Sequence, residues 1–442
     1  MEQVESEKSH VVRIGADWDK DKCVVSWQHK GKAFCDKVQR NLASVEAFAR
    51  RITREAGVEG CKPTIELAIE AGDRYWVTLW SQVAGEVFIF DGKKTRRFLE
   101  SVVSSGASDD KRSAAVLRDM LESPVHRRAA NQQLPPDLQS LMMVLTARKA
   151  AAEASNAAGN RLYATLRDYR PSLARTTFSA PFLDLLEEVP TAAAWNALKA
   201  DAQDKLLKSS RLRGRAGLAS KLGADTIAVK PELEVAVRSV IMGDLVQVRA
   251  TAQALKQLEA TLKGLLKQHK ATAVLSEVKG LGPVLQAGLV VVLGMEERAM
   301  QAAEQSGHAA AKAAVRDTAV KHFGAAPVTK RSGTKGDAAP QVSMRKAGNP
   351  DLRALSYILG LQLCMNHAWA KAAYAWHKAR GKNAATIFRI LSRSFIRVLM
   401  ACVRNKKAFN EAHYIERLQA HGIPWALAMK TPEPTASTRR AA

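Results

Sequence analysis

The first 130 residues alternate between short apolar runs and helical patterns of hydrophobic positions. The β-branched and aromatic runs at residues 11–14 and 23–27 flank a charged turn, which predicts a hairpin, and residues 32–38 predict a third strand. After this meander we expect helices at residues 41–56 and 75–83 and strands at residues 63–69 and 86–90. The pattern predicts a mixed α/β domain over residues 1–130.

Alanine, leucine and lysine dominate after Pro136, and we expect this part to be helical without a convincing strand. Between Ile241 and Leu265 apolar residues recur at spacings of three or four, close to a coiled-coil seam. That helix could pair two protomers or pack within its own chain, and the pattern favours neither. We divide the region into a helical linker and coiled coil (131–274), a helical domain (275–425) and a flexible tail (426–442).

Residues 324–349 are rich in Gly, Ala, Ser, Lys and Arg and predict a long loop. Loops of this length without secondary structure are uncommon in compact domains, so a functional role is favoured. Helical patterns return over residues 352–376 and 386–403.

Composition identifies a folded and strongly basic protein. Hydrophobic residues make up 47% and charged residues 25%, and 67 Lys and Arg against 43 Asp and Glu give a net charge of +24. Nucleic acid is the favoured partner, ahead of a membrane surface, because each neutralised phosphate releases counterions. The longest apolar run, residues 287–295, is about half of the ~20 residues that span a membrane. Five cysteines without a Cys-x-x-Cys spacing indicate reduced thiols in the cytoplasm.

Three carboxylates are predicted to converge at one edge of the N-terminal sheet. Asp17 ends the first strand, Glu70 ends the strand at residues 63–69, and Asp110 begins a helix. Unpaired acids at close range tolerate ionisation only with cations present, which predicts Mg²⁺, with Mn²⁺ as a substitute. Two such ions would activate a nucleophile and stabilise the leaving oxygen in phosphodiester cleavage. The alternative is a set of ordinary surface acids, since other carboxylates lie nearby in the sequence.

Ser332 lies in the basic stretch Lys-Arg-Ser-Gly-Thr-Lys-Gly at residues 330–336. Glycine permits close backbone approach, and the cations could hold a phosphate while lowering the cost of an alkoxide, so Ser332 is a candidate nucleophile. A solvated basic loop is the alternative. The spacing does not fit a nucleotide-binding P-loop.

Arg389, Arg393 and Arg397 recur every four residues on a predicted helix whose other side is apolar. Stacked guanidinium groups repel unless anions lie opposite, which favours a phosphate-tracking surface over a merely solvated face. The sequence Gly-Leu-Gly-Pro at residues 280–283 resembles the turn by which helix-hairpin-helix elements hold a DNA backbone. A plain turn between helices is the alternative.

The order of these motifs resembles the DEDD-serine transposases of the insertion-sequence family one-ten, relatives of a pilin-gene invertase. Residues 15–20, Gly-Ala-Asp-Trp-Asp-Lys, are similar to the family's Gly-x-Asp-x-x-Lys. Residues 70–75, Glu-Ala-Gly-Asp-Arg-Tyr, are similar to its Glu-Ala-x-Gly-x-Tyr, with the glycine displaced by one. Residues 106–114 resemble its Asp-x-x-Asp-Ala, with Asp110 in the first acidic place. Further matches are to its Gly-Pro element (281–283), its Pro-x-x-x-x-Ser-Gly (327–333) and its Gly-Asn-x-x-Leu-Arg (348–353).

The resemblance implies an α/β plus all-α fold in three parts. These are an RNase H-like (RuvC-like) N-terminal domain that binds magnesium, a coiled-coil insertion, and a helical C-terminal transposase domain with a helix-hairpin-helix-like element. It implies a transposase or recombinase that cuts and rejoins DNA through a covalent bond between Ser332 and a phosphate. It also implies a structured guide (bridge) RNA, donor and target DNA, a homo-oligomer (dimer or tetramer) and action at the bacterial nucleoid.

On this basis the catalytic residues are Ser332, Asp17, Glu70 and Asp110, and the three acids are also the metal ligands. Nucleic-acid contacts are assigned to a basic set: Lys330, Arg331, Lys335, Arg345, Lys346, Arg353, Arg389, Arg393 and Arg397. The family's fourth acid falls at Ser113 here, so Asp109 could substitute, or the Ser113 hydroxyl and water could complete the shell. Two other hypotheses stay open, a junction-resolving nuclease with a metal-activated water and a nucleic-acid-binding relative without catalysis.

Overall fold

The computed structural model describes residues 11–57, 63–102, 109–123, 126–127, 131–132, 134–174, 178–210, 212, 215–224, 231–305, 317–330, 341–344 and 349–429. The chain separates into two compact units, an N-terminal unit (Met1–Pro135) and a C-terminal unit (Pro136–Ala442). Within the described ranges, no helix has the length and apolar character needed to cross a membrane.

The N-terminal unit is built on one mixed sheet. Its strands are β1 (Val11–Trp18), β2 (Lys22–His29), β3 (Lys32–Gln39), β4 (Thr64–Glu70), β5 (Glu86–Phe90) and β6 (Asn131–Gln132), and its helices are α1 (Leu42–Glu55), α2 (Arg74–Ser81), α3 (Gly92–Val102) and α4 (Asp110–Glu122). The strand order is β3-β2-β1-β4-β5-β6. β1, β2 and β3 are antiparallel, β4 and β5 run parallel to β1, and β6 is antiparallel to β5. The predicted mixed α/β pattern is confirmed.

The two faces of this sheet belong to different hydrophobic cores. Ile14 and Ala16 of β1 and Leu67 of β4 pack in the core that holds α1 and α2. Ala68 of β4, with Phe88 and Phe90 of β5, packs against the buried side of α4. Because side chains alternate along a strand, Asp17 and Glu70 point to the α4 face of the sheet.

Short polar side chains begin three of the helices in this unit. The side chain of Asn41 accepts from the backbone N–H of Ser44 at the start of α1. Asp73 caps α2 in the same way, and Asp109 caps α4. Such caps satisfy amides that have no partner inside the helix, and they fix where each helix starts.

The described part of the C-terminal unit is mostly helical. Its helices are α5 (Pro136–Tyr169), α6 (Ala180–Glu188), α7 (Ala192–Asn196), α8 (Ala200–Ser209), α9 (Arg215–Ala224), α10 (Pro231–Gln268), α11 (Pro283–Gln305), α12 (Thr318–His322), α13 (Pro350–Asn366), α14 (Ala368–Lys378), α15 (Ala384–Arg404), α16 (Glu411–Ala420) and α17 (Pro424–Leu427). The helix predicted over residues 352–376 is divided at His367. The ring of His367 is buried, with Nδ1 3.0 Å from Glu411 Oε2 and Nε2 3.2 Å from the Lys279 carbonyl oxygen.

The helix with the coiled-coil pattern, α10, packs antiparallel against α5 of the same chain. Ile241 and Leu245 on its seam are buried in a shared core. Polar contacts line the pair, with Thr165 donating to Asp244 at 2.7 Å and Arg148 Nη2 lying 2.8 Å from Glu259 Oε1. The seam is therefore filled within the chain over these residues, and pairing of protomers stays a prediction.

A short hairpin follows α12, formed by the antiparallel strands β7 (Pro327–Lys330) and β8 (Gln341–Met344), with Val328 opposite Ser343. The prediction that no strand follows Pro136 is wrong at this point, and residues 324–349 are not loop throughout. Each strand has only four residues, so alternation cannot be recognised in the sequence. Pairing between the strands, a non-local contact, decides the conformation.

Candidate carboxylate site

Asp17 and Glu70 approach each other because β1 and β4 are parallel neighbours. Ala16 lies opposite Ile69, so the next pair in this register is Asp17 and Glu70. Glu70 lies opposite Phe90 of β5 on its other side. The ends of three parallel strands therefore meet at one edge of the sheet, as predicted for the two acids.

Gly15 allows α4 to cross β1 at close range. A Cβ atom at Gly15 would overlap the carbonyl oxygen of Ala114 and the backbone nitrogen of Arg118. This crossing brings the first turn of α4 close enough for the Asp110 charge and the Ser113 hydroxyl to act on Asp17. This close crossing explains why the residue two positions before Asp17 is a glycine.

Asp17 is the acid with the largest displacement of its pKa in the site. Burial, together with the charges of Asp110 and Glu70, raises its pKa from 3.8 to about 6, burial being the largest cause. A hydrogen bond from the Ser113 hydroxyl lowers the pKa, but only in part. The fold therefore holds negative charge here that the neighbouring side chains do not neutralise, and a cation would stabilise it.

Glu70 is held in place by the residue that follows Asp17. Trp18 Nε1 donates to the Glu70 carbonyl oxygen at 3.0 Å, and its ring occupies the space where a Cβ of Gly72 would lie. Burial raises the pKa of Glu70, and the charge of Asp91 raises it further. Asp91 was missed by the sequence reasoning, although it follows β5 directly, much as the other two acids end β1 and β4.

Other acids of this region are engaged elsewhere. Asp109 accepts from the backbone N–H of Arg112 at 2.8 Å and lies 3.4 Å from the Arg112 guanidinium. Asp73 caps α2 and pairs with Arg40. Asp109 is thus committed to starting α4, and Ser113 is the residue that reaches Asp17 from the place of the fourth acid.

The carboxylates fit a magnesium site in which protein side chains supply only some of the ligands. Within the described ranges, no group of three His, Cys, Asp or Glu side chains is arranged to hold one metal ion. Mg²⁺ is commonly bound by one or two protein carboxylates and completes its octahedron with water and phosphate oxygens. The raised pKa of Asp17, beside a second carboxylate at the same sheet edge, fits such a partial shell.

The predicted nucleophile is not placed by the structure. Ser332 lies outside the described residues, as do four cations of the predicted basic set: Arg331, Lys335, Arg345 and Lys346. Lys330 is the last residue of β7, opposite Gln341.

The three arginines of α15 have different surroundings. Arg397 Nε lies 2.7 Å from Asp317 Oδ1, and this bond raises the pKa of Arg397. Arg393 Nε is buried and has no hydrogen-bond partner among the described residues, and Arg389 is half-buried. An acid of the chain itself therefore lies opposite Arg397. Arg353, from the same predicted set, packs against Gly324.

The Gly-Leu-Gly-Pro turn joins a 3-10 helix, Lys270–Leu275, to α11. Gly280 has a φ of +79° and packs against the Asn366 side chain, so a side chain at this position would be strained and would clash. The element before the turn is thus a 3-10 helix, and the helix-hairpin-helix interpretation stays a prediction.

No protein-family model matches the chain. Two proteins of Streptomyces coelicolor are similar to it over much of its length. One is named an insertion element IS110 uncharacterized 43.6 kDa protein and is 28% identical over 316 residues, 68% of this chain and 71% of that protein. The other has a name that assigns it as the mini-circle transposase for IS117, and it is 23% identical over 364 residues, 78% of this chain and 83% of that protein.

Proposed function

We propose that the chain is the transposase of an insertion sequence, a DNA recombinase with a magnesium-dependent carboxylate site. The observation that carries the proposal is the convergence of Asp17 and Glu70, at the ends of parallel strands, with Asp110 at the start of α4. Similarity to two Streptomyces proteins, one with a name that refers to a transposase, supports the class. The net charge of +24 supports DNA as a partner.

We assign the N-terminal unit to the RNase H-like class. Three antiparallel strands followed by two that run parallel to the first, in the order β3-β2-β1-β4-β5, support this assignment. The positions of Asp17 and Glu70 support it too, because both lie at the carboxyl ends of parallel strands, on the face of the sheet that α4 covers. Asp17 and Glu70 would hold magnesium, with Asp110 and Ser113 beside them. Magnesium would stabilise the negative charge on the oxygens of the reacting phosphate.

In this proposal Ser332 makes the covalent intermediate. Its oxygen attacks the phosphorus and gives up its proton, and the bond from phosphorus to one deoxyribose oxygen breaks as that oxygen takes a proton. The serine–phosphate ester replaces the broken phosphodiester bond at nearly the same energy. A DNA hydroxyl can therefore attack its phosphorus, which releases Ser332 with its proton and rejoins the strands without a further reactant. A guide RNA for sequence recognition and a homo-oligomeric assembly belong to the same proposal, supported by the motif resemblance.

The test is to trap the adduct with a nicked suicide DNA in the presence of Mg²⁺. We expect the natural sequence to form a protein-DNA adduct that survives denaturation. Neither Ser332→Ala nor Asp17→Asn should form this adduct. Ser343→Ala is the matched control, because Ser343 is an exposed serine on β8, and it should form the adduct normally. Survival of the adduct in Ser332→Ala would overturn the assignment of the nucleophile.

A junction-resolving nuclease is the second candidate, favoured by the fact that the acidic site alone suffices for a metal-activated water. Ser332→Ala would then keep most cleavage while Asp17→Ala abolishes it, and no adduct would form. Salt-sensitive binding without cleavage in Mg²⁺ or Mn²⁺ would instead identify a non-catalytic nucleic-acid-binding protein.

A further inference from the structure

Helix α3 carries a concentration of positive charge on its solvent side. Its eleven residues include four cations, Lys93, Lys94, Arg96 and Arg97, against one acid. All four cations are exposed, whereas Thr95 is buried and Phe98 packs against the core on the α4 face. The helix is amphipathic, and its polar face is almost entirely basic.

This basic face begins at the carboxylate site. Gly92, the first residue of α3, lies so close to Glu70 that a Cβ atom there would overlap Glu70 Oε1. Asp91, which raises the pKa of Glu70, also accepts from the backbone N–H of Lys93 at 3.1 Å and so fixes the start of the helix. The first turn of α3 is therefore held against one of the predicted metal ligands.

The charges of this surface are largely uncompensated. Lys93 and Arg97 have no ion-pair partner among the described residues, and Arg96 pairs with Glu100 at 3.2 Å where both side chains are exposed. Lys111, in the first turn of α4, is also exposed and has no ion-pair partner in the described ranges. Like charges spaced three or four residues apart destabilise a helix, so a polyanion would relieve this repulsion. We call Lys93, Arg96, Arg97 and Lys111 the basic rim.

We propose that the basic rim binds the phosphates next to the one that reacts at the carboxylate site, and that its ligand is the cut strand of the DNA. This inference rests on the proposed function. The four-residue step from Lys93 to Arg97 covers about 6 Å of helix, close to the separation of neighbouring phosphates along one DNA strand, so the two cations can contact two adjacent phosphates. The rim also offsets the repulsion that ionised Asp17, Glu70 and Asp91 would exert on an approaching phosphate backbone.

The experiment compares two double variants of the full chain. Lys93→Gln/Arg97→Gln removes two rim cations spaced i, i+4. Arg50→Gln/Arg54→Gln removes two exposed cations with the same spacing from α1, which packs on the other face of the sheet. Binding of a fluorescent nicked DNA duplex is measured by anisotropy without divalent ions, over a series of salt concentrations. The slope of log K against log salt reports how many phosphates the protein neutralises.

The rim variant should lose about two units of slope and roughly ten-fold or more in affinity, at about 0.9 units for each lost phosphate contact. The α1 variant should keep the slope of the natural sequence. The shift in Tm on addition of Mg²⁺ should be unchanged in the rim variant, which shows that the site is still folded.

The outcomes separate the two proposals. If the natural sequence binds DNA and forms the adduct but the rim variant keeps its slope, the rim inference is overturned while the proposed function stands. The same holds if the rim variant loses only its affinity for an RNA hairpin. If the natural sequence neither binds DNA nor forms an adduct, the proposed function itself fails.

Discussion

At the scale of single residues, Asp17 holds a charge that the fold disfavours. Its pKa is about 6 in the folded protein against an ordinary value of 3.8. Between these pH values the folded chain keeps a proton that the unfolded chain has lost. The free energy of unfolding therefore falls as pH rises through this window, and it stays reduced above it.

We predict that Asp17→Asn stabilises the metal-free protein at about pH 8 by about 1 to 2 kcal/mol, after allowance for solvent screening. The gain should vanish at about pH 3, which lies below the pKa of both states, because Asp17 is then protonated in the folded and the unfolded chain. Thermal unfolding in a chelator at the two pH values measures this difference. Mg²⁺ should raise the Tm of the natural sequence more than that of Asp17→Asn. Equal Tm values at the higher pH would contradict the unneutralised charge.

The sequence indicated Asp17, Glu70 and Asp110 because each lies at the end of an element, and strand ends can be located from apolar patterns. It did not separate Asp109 from Asp110, since both begin the same helix. Only the backbone geometry of α4 decides which of the two caps the helix and which lies beside Asp17. Asp91 was missed because its effect on Glu70 depends on the order of strands in the sheet.

At the scale of elements, the contact between β1 and α4 assembles the site. We predict that Gly15→Ala, which places a methyl group against the α4 backbone, destabilises the N-terminal unit by about 1 to 3 kcal/mol. It should also abolish the Mg²⁺-dependent rise in Tm, because α4 carries Asp110 and Ser113. Denaturant unfolding with and without Mg²⁺ measures both effects.

The control for this prediction is Gly159→Ala on α5. Nothing lies within 4 Å of a Cβ atom at that position, so alanine should stabilise the helix by about 0.5 to 1 kcal/mol. A Gly15→Ala protein with a normal Mg²⁺ response would show that the close crossing is not needed for the site.

Element boundaries followed the sequence where local signals are strong. β5 covers residues 86–90 as expected, since its β-branched and aromatic run lies between a glycine and an aspartate. No proline or glycine marks the break between α13 and α14 at His367. It depends on contacts from Glu411 and Lys279, each more than forty residues away in sequence, which no local pattern contains.

At the scale of the whole molecule, a net charge of +24 coexists with a site of clustered acids. The positive surface would draw nucleic acid toward the protein from a distance, at a rate that falls as salt rises. Close to the site the acids would repel phosphate unless cations intervene, and the basic rim and a bound metal would both provide them. The net charge therefore accounts for attraction at long range, and the cations nearest the acids allow a phosphate to reach the site.

The N-terminal unit has its own hydrophobic cores on both faces of its sheet, and the residues that form them all lie before Pro135. A segment with this property is expected to fold alone.

We predict that residues 1–135, expressed by themselves, unfold cooperatively and show the same Mg²⁺-dependent rise in Tm as the full chain. The fragment should also bind DNA with a shallower salt dependence, because it lacks the cations of the C-terminal unit. Calorimetry and anisotropy measure these quantities. A folded fragment without a magnesium response would show that the metal site needs residues beyond Pro135, in conflict with a site formed by Asp17, Glu70 and Asp110.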